Sequence, residues 1–106
     1  MKTEKPEEDK ISCYTPAKGR DGVVRIPSWK YNCVRRAILD AVEESEDGTV
    51  VFGDLAAIAV ERLTSNQLAK LGSVKWHVTT VKLNMEVDGE IERVPRRKPQ
   101  ALRKPL

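Results

Sequence analysis

Residues 73–94, SVKWHVTTVKLNMEVDGEIERV, decide which fold the chain is predicted to adopt. Their apolar side chains recur at i, i+4, i+7 and i+11, the spacing of one helical face: Val74, Val78, Val81 and Met85. Gly89 stands where a helix commonly ends in the left-handed conformation. Ile91 and Val94 then begin a short extended run. The segment therefore predicts a helix over about residues 73–88, a glycine turn and a strand over residues 90–94.

Two more helices are predicted before this segment. Ser28 is a candidate N-cap for a first helix that should end near Glu43. Asp54 begins a second helix, where its charge suits the positive end of the helix dipole. The expected buried face of the second helix consists of Leu55, Ala56, Ala59, Val60 and Leu63. Residues 64–72 then connect to the third helix and could contain one helical turn around Leu68.

Short β-prone runs flank these helices. They lie at residues 23–26, at residues 49–52 and, after the proline-bounded basic turn PRRKP, at residues 100–103. Residues 11–22 are rich in glycine and are predicted to be loop and turn. The element order predicts an α+β fold with three helices and a C-terminal β-hairpin, and a three-helix bundle with a loose tail is the alternative.

Length and composition limit the chain to one domain. We expect a disordered tail at residues 1–10, which lack an apolar pattern, and a folded domain at residues 11–104. No signal peptide and no apolar run of bilayer-spanning length are visible, which predicts a cytoplasmic protein with no membrane partner. Cys13 and Cys33 are too few for a disulfide framework. Five scattered aromatic residues argue against a stacking platform for single-stranded nucleic acid.

Positive charge is concentrated at the C-terminal end. Residues 93–106 contain six cations and no acid, whereas residues 1–92 contain 13 cations and 16 acids. A basic end on a mildly acidic body suits a polyanion that is contacted at one edge. The alternative is a basic tail that only increases solubility.

The run from Met85 to Ile91, MEVDGEI, resembles the end of the recognition helix in winged-helix (winged helix-turn-helix) proteins. The wider segments RIPSWKYNCVRRAIL and KWHVTTVKLNMEVDGEIERV are similar to a small family of uncharacterised bacterial proteins of about this length. The resemblance covers roughly residues 11–104 and implies a winged-helix-like three-helix bundle with a C-terminal β-hairpin, in which residues 93–104 form a basic wing. It implies no activity. The nine-residue connection at residues 64–72 is longer than the three or four residues of a strict helix-turn-helix.

This arrangement predicts double-stranded DNA binding, with transcriptional regulation as a role. Lys75, Thr79 and Lys82 share one face of the third helix and could enter a major groove. The wing cations could follow a phosphate backbone: Arg93, Arg96, Arg97 and Lys98. The alternatives are a solvated helix face, and a charged hairpin that prevents edge-to-edge aggregation.

A second stripe of the third helix supports a different function. Trp76, Thr80, Leu83 and Val87 also align along the helix. We expect this stripe to be buried under the segment around Tyr14. If it is exposed instead, it would bind a second copy of the chain or another protein, and the domain would be a protein–protein interaction module.

Candidate catalytic and metal-binding residues are scarce. His77 is the single histidine, and no carboxylate or cysteine stands at a ligand spacing from it, so a partly buried, hydrogen-bonded histidine is expected. No nucleophile, base and orienting group can be assembled. We therefore expect no enzyme activity, no cofactor and no metal.

Overall fold

An antiparallel hairpin begins the part of the chain that the structure describes. The structure is a computed structural model, and it describes residues 9–16 and 19–106. Strands β1 (Lys10–Thr15) and β2 (Gly19–Pro27) pair from Lys10 opposite Pro27 to Thr15 opposite Gly19. The prediction of loop and turn at residues 11–22 is therefore wrong in its described part. Cys13 and Ile26 of this hairpin are buried, and their packing stabilises the two strands. The glycines of the segment, taken alone, indicated only a turn.

Four α-helices follow in the described residues, where three were predicted: α1 (Ser28–Glu44), α2 (Leu55–Arg62), α3 (Ser65–Leu71) and α4 (Val74–Val87). A 3₁₀ helix, Phe52–Asp54, precedes α2. The fold is thus α+β, as predicted, but it is not a three-helix bundle. At α1, Ser28 is the first helical residue rather than the N-cap, and its N–H donates to Asp9 O at 2.8 Å.

The additional helix α3 lies in the predicted connection. Its N-terminus is a capping box, in which Thr64 Oγ1 accepts from the Gln67 N–H and Gln67 Oε1 accepts from the Thr64 N–H. These two bonds satisfy amide groups that a helix start otherwise leaves unpaired. Gly72, at a φ of 88°, then separates α3 from α4. The connection between α2 and α4 is therefore a short helix, which contains the helical turn expected around Leu68.

A second antiparallel sheet contains β3 (Thr49–Val51), β4 (Glu92–Arg93) and β5 (Ala101–Arg103). Its strand order is β3-β5-β4, so the last strand is central and its Ala101 and Leu102 are buried. The strands predicted at residues 49–52 and 100–103 are confirmed as β3 and β5. The strand predicted at residues 90–94 is confirmed only over Glu92–Arg93.

The core lies between α1 and α4. Val34, Ile38, Val81 and Met85 are all fully buried. Each such side chain favours folding by about 1.5–3 kcal/mol relative to an exposed position. The β1–β2 hairpin packs on α4, where Asn84 Oδ1 accepts from the Tyr14 N–H at 2.9 Å. The same side chain joins α4 to α1, because Asn84 Nδ2 donates to Tyr31 Oη at 2.8 Å. No helix in residues 9–16 and 19–106 is sufficiently long and apolar to span a bilayer.

Helix α4 ends as its sequence predicts. Gly89 has a φ of 78°, the Glu90 N–H donates to Met85 O at 2.9 Å, and the Gly89 N–H donates to Glu86 O. These are the two hydrogen bonds of a Schellman motif. The chain then enters β4, so the C-terminal hairpin begins directly at the end of α4.

Candidate nucleic-acid interface

One continuous side of α4 faces away from the core. Its members are at least partly exposed: Lys75, Trp76, Thr79, Thr80, Leu83 and Val87. At 100° per residue they cover an arc of about 140°. We call this arc the exposed face of α4. It consists of one cation, two threonines and three large apolar side chains.

Lys82 does not belong to this exposed face, which corrects the prediction that it lies with Lys75 and Thr79 on a solvent-facing surface. Only 2% of Lys82 is exposed. Its Nζ donates to Gln100 Oε1 at 2.8 Å and lies 2.7 Å from Glu86 Oε2. The same Nζ stands 4.7 Å from the centre of the Phe52 ring. The C-terminal hairpin and Phe52 cover Lys82, so it cannot contact a nucleic acid in this arrangement.

Glu86 is enclosed with Lys82. Its side chain is 10% exposed, and its Oε1 lies 3.9 Å from Arg93 Nε. Within the described residues Glu86 Oε2 accepts no well-aligned hydrogen bond, although Lys82 Nζ is 2.7 Å away. We therefore regard the Lys82–Glu86 contact as a close ion pair rather than as an aligned hydrogen bond. Such a pair is stable in a buried position only while both charges are present.

Four cations lie in or directly before the loop between β4 and β5. Residues 94–100 form this basic loop, and the Val94 N–H donates to Ala101 O at 2.9 Å to close it. Arg93, which precedes the loop, and Arg96, Arg97 and Lys98 within it are all exposed. Arg96 has a φ of 59°, a left-handed conformation that is uncommon for residues other than glycine, asparagine and aspartate. The loop therefore projects the charged side chains into solvent.

These cations differ in how far nearby acids neutralise them. Arg97 donates to Thr49 Oγ1 at 2.8 Å and lies 3.8 Å from Asp47. The pKa of Asp47 is lowered mainly by hydrogen bonds from Thr49 and Ser45, and Arg97 contributes to the same effect. Arg96 and Lys98 have no hydrogen bond or ion pair within residues 9–16 and 19–106. The least compensated charge of the loop is therefore at Arg96 and Lys98.

The remaining C-terminal cations are paired. Arg103 Nε donates to Glu92 Oε2 at 2.7 Å, and Lys104 Nζ donates to Glu43 Oε2 at 2.8 Å. Both pairs join β5 and the residue after it to neighbouring elements. The six cations of residues 93–106 thus form no single free patch, and the charge balance of the sequence cannot distinguish paired from unpaired members.

Lys75 and Thr79 lie toward the other end of α4. Together with Phe52, Gly53, Ala56 and Val78 they line a small apolar pocket between α4 and the start of α2. Phe52 borders this pocket and also faces Lys82 Nζ. It therefore lies between the accessible half of α4, which contains Lys75, and the covered half, which contains Lys82. Three residues of this helix were predicted to enter a major groove. The structure leaves Lys75 and Thr79 accessible, whereas Lys82 is internal.

The second stripe of α4 is partly exposed, so the prediction of burial is wrong for two of its members. Trp76 is 46% exposed and Val87 is 42% exposed. The segment around Tyr14 does not cover them, because it bonds to Asn84 on the neighbouring side of the helix. The other two members of the stripe, Leu83 and Thr80, are half-buried.

His77 is buried and hydrogen-bonded, as predicted. Its Nδ1 lies 2.7 Å from Ser73 O, one turn earlier in α4. In the part of the chain that the structure describes, no group of three or more His, Cys, Asp or Glu residues could hold a metal ion. The site therefore consists of cations, hydroxyls and apolar surface.

The chain belongs to a family of unknown function, DUF6958, whose family model matches residues 10–102. The match includes both hairpins and all four helices of the described residues. Comparison with curated proteins and with solved structures found no match.

Proposed function

We propose that this member of DUF6958 binds double-stranded DNA, with the basic loop contacting phosphates and the exposed face of α4 contacting the groove, in a winged-helix-like manner. The observation that carries the proposal is the uncompensated, exposed charge of Arg96 and Lys98 on a hairpin that starts where α4 ends. The order β3-β5-β4 around helices α1, α2 and α4 supports the comparison with a winged-helix domain. Transcriptional regulation is the role that we propose for such binding.

Fewer residues of α4 are proposed to contact the groove than the sequence alone suggests. Lys75 can reach a phosphate or a guanine edge, and Thr79 offers a hydroxyl beside it. Lys82 is excluded because it is enclosed by Glu86, Gln100 and Phe52. With one accessible lysine on the helix, phosphate contacts should contribute more to affinity than base contacts do.

The pairing of the loop cations leads to a quantitative expectation for salt dependence. Four phosphate contacts would give a log–log slope of roughly −3.6, whereas contacts from Arg96, Lys98 and Lys75 alone would give about −2.7. A slope of about −3.6 would require one further cation, either Arg93 or Arg97, to exchange its acidic neighbour, Glu86 or Asp47, for phosphate. The contact of Arg97 with exposed Asp47 is weak enough to break, because ion pairs in full contact with solvent contribute little to stability.

The test is a fluorescence-anisotropy titration of a random duplex at two salt concentrations. The double variant Arg96→Gly/Lys98→Ala should bind about tenfold or more weakly at low salt and show a shallower slope. The matched control, Arg25→Ala/Lys70→Ala, removes the same charge from exposed positions on β2 and α3. Equal losses in both double variants would mean that binding follows net charge alone, and no binding at low salt would refute the proposal.

A protein–protein interaction module is the second candidate, and the exposure of Trp76 and Val87 favours it. Leu83 lies between them and extends the apolar surface along α4. Aromatic residues are enriched among those that dominate binding energy at interfaces. Sedimentation analysis of the wild type and of Trp76→Ala distinguishes this candidate. Self-association that Trp76→Ala removes and that salt does not weaken would support docking through this surface. A wild-type protein that stays monomeric at every salt concentration would count against a homodimer.

A further inference from the structure

We infer that Lys82 and Gln100 are positioning residues that hold the basic loop in one orientation against α4. A lysine is almost never fully buried unless its ammonium group is paired. Lys82 nevertheless lies in the interior, in contact with Gln100 and Glu86 and over the Phe52 ring. A side chain of this length could extend toward solvent. Its internal position therefore indicates that these contacts compensate for lost hydration.

The partners of Lys82 belong to three separate pieces of the chain. Glu86 is one turn later in α4, Gln100 immediately precedes β5, and Phe52 immediately follows β3. Phe52 and Gln100 are also joined directly, since the Phe52 N–H donates to Gln100 O at 2.8 Å. Lys82 thus connects the helix to the point where β3 and β5 meet.

Both ends of the basic loop are attached to α4 through this group of residues. Gln100, at the end of the loop, accepts from Lys82, and Arg93, just before the loop, lies 3.9 Å from Glu86. Strands β4 and β5 pair over only two registers, Glu92 with Arg103 and Arg93 with Leu102. Strand β5 also pairs with β3, so it is the edge strand β4 that depends most on contacts beyond the sheet. The side-chain contacts to α4 therefore set the direction in which Arg96 and Lys98 project.

This inference deepens the proposed DNA binding and rests on it only for the effect on affinity. The test variant is Gln100→Met, which removes the acceptor of Lys82, keeps a side chain of similar length and leaves the charge unchanged. Amide hydrogen exchange is measured at Val94, whose N–H closes the basic loop, and at Ile38 in the core of α1. We expect Val94 to exchange about tenfold faster in Gln100→Met, while Ile38 changes much less.

The duplex titration then reports the functional consequence. Gln100→Met should weaken binding several-fold and make the salt slope shallower, because fewer cations meet phosphates together although their number is unchanged. Arg96→Gly serves as the control, since it removes a loop charge at a left-handed position that glycine adopts readily. It should weaken duplex binding and leave Val94 exchange at the wild-type rate.

Two results would overturn the positioning role: a wild-type exchange rate for Val94 in Gln100→Met, or equal acceleration at Val94 and Ile38, which would indicate global destabilisation. If wild-type protein does not bind duplex at low salt, the proposed function fails. The exchange measurement would still decide whether Lys82 and Gln100 hold the loop.

Discussion

Lys75 and Lys82 stand seven residues apart on the same side of α4, yet one is exposed and the other is enclosed. The difference comes from what lies opposite each half of the helix. The half that contains Lys75 borders an open pocket, whereas Phe52 and the C-terminal hairpin cover the half that contains Lys82. Two identical side chains thus differ in role: Lys75 is available to a partner, and Lys82 belongs to the internal structure.

The sharpest test of this difference is the stability of Lys82→Ala against that of Lys75→Ala. Removing Lys82 leaves the carboxylate of Glu86 without its cation in a nearly buried position, which should lower the free energy of unfolding by about 3–5 kcal/mol. Lys75→Ala should change it by no more than about 0.5 kcal/mol. Urea denaturation followed by circular dichroism measures both.

The double variant Lys82→Met/Glu86→Leu is the control for this prediction. It removes both charges together, and most of the lost stability should return, because no unpaired charge remains. If Lys82→Ala and Lys75→Ala unfold at the same urea concentration, the two halves of α4 do not differ as described.

Asn84 lies beside the exposed face of α4, where it holds the N-terminal hairpin against the helix. Asn84→Ala would leave the Tyr14 N–H and the Tyr31 hydroxyl without their partner, so we expect a loss of about 2–4 kcal/mol in the free energy of unfolding. Thr80→Ala, at a half-buried position of the same helix, should cost less than about 0.5 kcal/mol. Urea denaturation of the two variants checks this, and similar midpoints would mean that Asn84 does not anchor the N-terminal hairpin.

Burial also changes the ionisation of a side chain in that hairpin. Burial, with a contribution from nearby Asp88, raises the pKa of the Cys13 thiol to about 11. The folded protein therefore holds this proton to a higher pH than the unfolded chain does. The stability that results is present below the unfolded pKa and is lost as the pH rises toward 11.

We expect the free energy of unfolding to fall by about 1–3 kcal/mol more in wild type than in Cys13→Ala between pH 9 and pH 11. Parallel urea titrations of the two proteins at several pH values measure the difference. Tyr31, whose pKa is also raised mainly by burial, is present in both proteins. Identical pH dependence would show that Cys13 is accessible.

The smallest expected effect is at the exposed apolar side of α4. Trp76→Ala should lower the free energy of unfolding by about 1 kcal/mol or less, because nearly half of the residue is already in water. Met85→Ala, on the buried side, should cost about 2–5 kcal/mol. Thermal unfolding of both variants compares them. A loss as large for Trp76 as for Met85 would mean that the tryptophan is packed.

Periodicity and turn chemistry predicted much of the chain correctly. The apolar repeat from Val74 to Met85 and the glycine at position 89 located α4 and its end to within one residue. The predicted first helix and the strands β3 and β5 were also confirmed. These elements share a local signal, either a repeated apolar spacing or a residue that only certain backbone conformations favour.

The elements that were missed have weaker local signals. The apolar residues of β1 stand next to Pro16, and Gly19 and Gly22 made the start of β2 resemble a turn. Helix α3 is announced by Thr64 and Gln67, a capping-box spacing that could have located it. Lys82 gave no sign of burial, because a lysine on a helix is normally solvated.

By itself, the sequence determined that the chain is an α+β domain with a long amphipathic helix followed by a basic hairpin, since hydrophobic spacing, glycine and charge act over a few residues. The tertiary structure alone decided that Lys82 is internal and that Trp76 is exposed. It also decided that Arg97 is paired while Arg96 has no partner among the described residues. These outcomes depend on which distant element lies against each side chain. Burial and ion pairing are properties of the folded arrangement, and residues far apart in the chain create them together.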